Sequence, residues 1–246
     1  MANIKIAVIN SSTVLSDADV QSAVPALQTQ VHRDFSPAWG TDADMTFVAK
    51  NATPPDGYWW LVILDNSDQA GALGYHDLTP QGLPLGKIFA ATDQQDGENW
   101  TVTASHELLE MLGDPDINLT AFIQSSDTAG VLYAYEVCDA CEADAVSYQI
   151  NGIAVSDFVF PAWFESFRQA GSTQFDFQNQ ITQPFQLLPG GYIGVFNVTA
   201  GSGWTQMTAD GTPGDYRARP RVGSRRERRR TPRNKWLRSN VRRVAR

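Results

Sequence analysis

Cysteine is scarce in this chain of 246 residues. There are two, Cys138 and Cys141, too few for a disulfide scaffold. They stand as C-x-x-C, but no second ligand pair at zinc-knuckle spacing accompanies them. Acids flank both, which raises a thiol pKa and blunts redox reactivity. The expectation is two ordinary, partly buried thiols. No apolar run approaches the length of a membrane span. No internal repeat is visible. The opening, MANIKIAVIN, has one Lys and goes straight into alternating, strand-like residues. It carries no basic stretch, long apolar segment or small-residue cleavage site, so it does not read as a secretory signal. A cytoplasmic location is expected, with leaderless export or association with a particle as the alternative.

Basic residues are nearly missing from most of the chain. Residues 1–216 hold five Lys and Arg against 26 acids, a net charge of −21. Residues 217–246 hold 13 Arg and one Lys against one acid, Glu227, a net of +13. An acidic body with an Arg-rich tail points to three readings of the tail: nucleic acid held through its phosphates, an acidic protein surface, or a solvated extension. Apolar residues make up 42% and aromatics 11%, with seven Trp. That fills a sizeable core.

The elements read as follows. Ile4–Ile9 alternates as a strand. A helix runs from Ser16 or Asp17 to about Val31, with Pro25 expected to kink or break it. His32 is expected at that helix end in a structural role. Met45–Val48 is a short strand. Trp59–Leu64, continuously apolar, is a buried central strand. Gly71–Gly86 reads as a Gly-rich segment in which His76 is a surface loop residue. Lys87–Thr92 is a strand. Leu132–Val137 alternates as another, Tyr148–Ala154 is a hairpin turning at Asn151-Gly152 with Val155–Phe160 as the partner strand, Pro161–Phe167 a short helix, and Gly190–Ala200 holds a strand. Gly201–Gly214 reads as a linker.

One stretch carries chemistry, Trp100–Asp116, WTVTASHELLEMLGDPD. Asn99 can cap a helix here, most of its apolar residues are strong helix formers, and Gly113 fits a left-handed cap before Pro115. On a helix His106 and Glu110 share one face, and Glu107 sits one position on. An imidazole and a carboxylate so placed are candidate metal ligands. Glu107 is the candidate base that works on the attacking water. The run H-E-x-x-E-x-x-G-x-x-D overlays the longer zincin pattern H-E-x-x-H-x-x-G-x-x-H, with two carboxylates in place of two histidines. Asp116 then stands as a third ligand. The competing reading is a core helix with a solvated His-Glu-Glu face. Further on, Glu136, Asp139 and Glu142 cluster around the two cysteines, and Glu136 competes with Asp116 for the third ligand position. Tyr133 or Tyr135 can stabilise an oxyanion.

His106, Glu107, Glu110, Asp114-Pro115, then Glu136, Asp139, Cys141-Glu142, then Asn151-Gly152 and an aromatic strand form a series. It resembles the core of the exordium-like, phosphate-induced protein family, itself similar to zincin metallopeptidases around the H-E helix. The likeness covers about residues 100–164. It implies a zincin-like α/β (α+β) fold with a mixed twisted sheet. It also implies a metal site of His106, Glu110 and one or more of Asp116, Glu136 and Asp139. The basic tail is not part of that family's pattern.

The expectation is therefore a zincin-like globular domain, residues 1–208, and a linker with a basic tail, residues 209–246. The function expected is a metal-dependent, peptidase-like hydrolase using zinc, with Glu107 and Tyr135 catalytic and a peptide or protein as substrate. Oxygen-rich ligation also suits calcium or manganese. The alternative is a non-catalytic protein whose metal stabilises the fold within an assembly.

Overall fold

A computed structural model describes residues 4–69, 72–79, 81–201 and 203–211. The Arg-rich tail lies outside the described residues. The chain is mixed α/β, with parallel and antiparallel strands and few helices. It divides into two compact units. One is the chain up to Ile117 together with Gln149–Val155. The other is Asn118–Tyr148 together with the chain from Ser156. No described helix is long and apolar enough to cross a membrane.

The first unit is built on a five-stranded sheet. Its strands are β1 (Ile4–Asn10), β2 (Ala43–Val48), β3 (Trp59–Leu64), β4 (Gly74–Leu78) and β5 (Pro84–Phe89), in the order β2-β1-β3-β5-β4. β1, β2, β3 and β5 are parallel; β4 runs antiparallel along the edge. Parallel neighbours need crossovers. The first is α1 (Asp17–Thr29), opened by a capping box in which the Asp19 N–H donates to Ser16 Oγ (3.1 Å) and the Ser16 N–H donates to Asp19 (2.8 Å). The helix continues through Pro25, then widens into a π-helical turn over Gln30–Phe35 before the one-turn α2 (Ser36–Trp39). His32, on the π turn, contacts Asp42 through Nδ1 and Gln28 through Nε2.

The central strand is the WWLVIL run, as its unbroken hydrophobicity requires. The Gly-rich segment is not a loop. It contains β4 and the start of β5, and β5 ends at Phe89 so that Ala90 begins α3 (Ala90–Asp96). Gly82, φ 83°, turns the chain between β4 and β5, whereas Gly74 and Gly86 serve close packing. A β-carbon on Gly74 would lie 2.7 Å from Glu107 Oε1, and one on Gly86 would lie 2.8 Å from Leu61 Cδ1. Gly74 and His76 share one face of β4 by strand alternation, and His76 pairs with Gly86. That face packs under α4 (Trp100–Gly113).

The second unit holds an antiparallel sheet. Its strands begin with β6 (Thr120–Ser126) and β7 (Ala129–Ala134). Between these and the rest of that sheet, the chain forms the hairpin β8 (Tyr148–Ile150) and β9 (Ile153–Val155). β10 (Tyr192–Asn197) and β11 (Trp204–Thr208) complete the order β11-β10-β7-β6. Asn151 and Gly152 turn the hairpin with φ of 53° and 84°, the left-handed pair that a two-residue turn needs. The partner of β8 is therefore Ile153–Val155 and not the following segment. β11 falls in the stretch expected as a linker; Phe196 pairs with Trp204 across β10 and β11, ring centroids 5.8 Å apart. Phe158, Trp163, Phe175 and Ile193 are buried in this unit.

Candidate metal centre

α4 is held at its start by Asn99, whose side chain accepts from the Thr101 N–H (3.1 Å). The Thr101 hydroxyl donates to the Ala154 carbonyl (2.7 Å), tying the helix to β9. Leu108, Leu109, Met111 and Leu112 are buried. The polar face is buried too: His106, Glu107 and Glu110 are 7, 5 and 4% exposed. This rules out a solvated His-Glu-Glu face. Buried ionisable groups stay only where a partner or a cation compensates their lost hydration.

Two imidazoles flank Glu110. His106 Nε2 lies 3.3 Å from Glu110 Oε1, and His76 Nε2 lies 3.7 Å from Glu110 Oε2. Two donors on one tetrahedral zinc, with bonds of about 2.0–2.2 Å, stand roughly 3.3–3.6 Å apart. The residues thus fit a metal ion by donor type, spacing and burial. Glu107 points at the sheet, its carboxylate against Gly74 and its Cβ near Gly86.

His76 is the residue that the motif missed. It is not on a surface loop but on β4, 8% exposed. The signal available was alternation in GYHDL, which puts Gly74 and His76 on one strand face.

The other expected residues fall as follows. Gly113 remains helical, and the left-handed residue after the helix is Ile117, φ 49°. The turn that was to swing Asp116 back is therefore not made at Gly113. Asp116 is exposed on the turn after α4, whereas Asp114 beside it is fully buried. In the second unit Glu136 is 8% and Asp139 5% exposed, with Asp139 opening a short 3-10 turn to Cys141. Tyr135 is half-buried with its ring on Phe164, centroids 4.4 Å apart, and Tyr133 lies on Phe185 at 4.3 Å. Burial pushes the Tyr133 hydroxyl pKa up. Cys138 and Cys141 are both buried.

Buried His, Glu and Asp side chains able to hold a metal ion are therefore present: His76, His106 and Glu110 in the first unit, Glu136 and Asp139 in the second. No protein-family model, curated protein or solved structure matches the chain.

Proposed function

We propose that the chain is a metal-dependent hydrolase of the peptidase-like kind, with His106 and Glu110 holding the ion. The observation that carries this is the buried His106–Glu110 pair, 3.3 Å apart on one helix face, with a second buried acid, Glu107, beside it. A mixed sheet followed by an H-E helix is also what the zincin resemblance implies, and it supports the reading. Zinc is the proposed ion. The imidazole that His76 adds makes the set richer in nitrogen than the helix motif alone, and imidazole favours zinc over calcium, with manganese between them.

When bound, the ion supplies Lewis acidity that polarises a carbonyl oxygen and makes water a better nucleophile. Glu107 then takes the proton from the attacking water and delivers it to the leaving amine. Gly74 leaves room for the Glu107 carboxylate against β4 and so sets its position. Tyr135 is proposed to donate its hydroxyl hydrogen to the oxyanion. Asp116, Glu136 and Asp139 are the proposed further carboxylate ligands.

The test pairs metal analysis of the purified chain with cleavage of a peptide library. The expected result is bound zinc and cleavage, with Glu107→Ala abolishing cleavage while metal content stays. Full activity in Glu107→Ala removes Glu107 from the mechanism. A second reading, a metal-stabilised structural protein, is favoured by the near-complete burial of His106, Glu107 and Glu110; structural ions sit in closed sites. Bound metal without cleavage selects it. The Arg-rich tail is proposed to dock nucleic acid or an acidic protein surface. Loss of salt-sensitive RNA or DNA binding on truncation after Tyr216 selects the first, and no binding at low salt discards it.

A further inference from the structure

Resting on that metal-binding reading, we propose that Glu110 is a bridging carboxylate and that the centre takes two divalent cations, one beside His106 and one beside His76. The two imidazoles come from different elements, α4 and the edge strand β4, and address different oxygens of one carboxylate: His106 the Oε1, His76 the Oε2. Both separations, 3.3 and 3.7 Å, exceed the usual 2.7–3.2 Å of an N–H···O hydrogen bond. Both are near the spacing of two donors that share an ion. A single ion at either pairing uses the oxygen that its imidazole faces and leaves the other imidazole without an ion. Two ions need one oxygen each, and a carboxylate so shared is what holds a hydrolytic pair about 3.5–4 Å apart.

The burial of all three side chains agrees with this. His76, His106 and Glu110 are each less than a tenth exposed, so the donors are already stripped of bulk water. The nitrogen and oxygen donors suit zinc, manganese or cobalt in the divalent state. The bridge gives His76 a role that the helix motif does not supply, as the ligand of the second ion.

The experiment loads the full chain with Mn2+ or Zn2+, removes the excess by gel filtration and counts metal per folded chain. Two ions per chain are expected. His76→Ala and His106→Ala should each fall to one, and Glu110→Ala should lose both. Mn2+ in the unaltered chain should give the electron paramagnetic resonance spectrum of a coupled pair, reverting to that of an isolated ion in His76→Ala. Circular dichroism confirms folding, and His76→Asn with His106→Asn repeats the count if an alanine variant fails to fold. One ion per chain, lost equally in both histidine variants, overturns the bridge but leaves the metal centre. A folded chain that binds no metal overturns the centre itself.

Discussion

The carboxylate of Glu107 lies against the backbone of Gly74, so close that a β-carbon there would meet Oε1 at 2.7 Å and the Lys87 carbonyl oxygen at 2.9 Å. A flexible side chain can move aside, but the carbonyl of the neighbouring strand cannot move cheaply. Gly74→Ala is therefore expected to displace Glu107 and to strain the β4–β5 pairing. The stability cost should be about 1–3 kcal/mol, the usual size of overpacking. On the proposed function, kcat should fall by at least about tenfold with bound metal unchanged. Denaturant unfolding and metal analysis on the same preparation check both. Unchanged stability would mean that the strand gives way.

The same glycines explain which parts of the fold were legible in the sequence. α4 was readable because its cap, its helix formers and its spacing agree. Trp59–Leu64 was readable because only a strand buried on both faces carries so unbroken an apolar run. Asn151-Gly152 announced its hairpin through the backbone conformation it favours. β4 was hidden because glycine breaks a strand in one setting and permits close packing in another, and only the partner decides. Here the partner is Glu107, about thirty residues on. β11 was hidden in the same way, since the pairing of Trp204 with Phe196 cannot be read beside its Gly-Ser flanks. In the candidate site, His106 and Glu110 were legible as a helical pair, whereas His76 depends on strand register and was not.

Asp157 and Asp176, both fully buried in the second unit, make stability pH-dependent. Burial, then the hydrogen bond and negative charge of Asp176, raise the Asp157 pKa to about 8, against the partial relief of the Phe158 and Gln178 N–H groups. A folded pKa above the unfolded one means that the protonated form is favoured in the fold. Its stabilising contribution is whole below about pH 4, the ordinary carboxyl range, and is lost progressively as pH rises to about 8. The loss amounts to as much as several kcal/mol, since one pK unit is worth about 1.4 kcal/mol. Asp157→Asn keeps an acceptor for the two N–H groups and cannot ionise. Its urea midpoint should exceed that of the unaltered chain at pH 8 and match it near pH 4. Parallel profiles across that range would show that the pair does not share a proton.

Lys87 is buried on the opposite face of β5 from Gly86, 1% exposed. Its ammonium donates to Asp68 Oδ2 (2.8 Å) and to the Tyr75 hydroxyl (2.6 Å), and that hydroxyl donates to Asp68. Burial holds its pKa below the ordinary lysine value despite Asp68. Removing the acid leaves a buried charge without its counter-ion, which typically costs about 3–5 kcal/mol. Replacing the cation by an apolar chain of similar length leaves Asp68, which is 27% exposed and keeps access to water, and so costs less. Asp68→Ala should therefore destabilise more than Lys87→Met, and the double variant should recover most of the loss. A double-mutant cycle in urea reads the difference. Equal single losses with simple additivity would show that the pair is uncoupled.

Exposure separates the carboxylates proposed as further ligands. Asp116 is exposed on its turn, while Glu136 and Asp139 are 8 and 5% exposed. A solvated acid gains little from an ion that it must leave water to reach. A buried one is already dehydrated and is stabilised as an anion by the cation. Glu136→Gln and Asp139→Asn are therefore expected to weaken zinc binding by about ten- to a hundredfold, the range for removing a ligand or its support. Asp116→Asn should change it less than about twofold. Competition with a chromophoric chelator at pH 7 measures all three. A tenfold loss in Asp116→Asn alone would make the turn after α4 the source of the ligand, as the longer motif implies. It would also require that turn to close when metal binds.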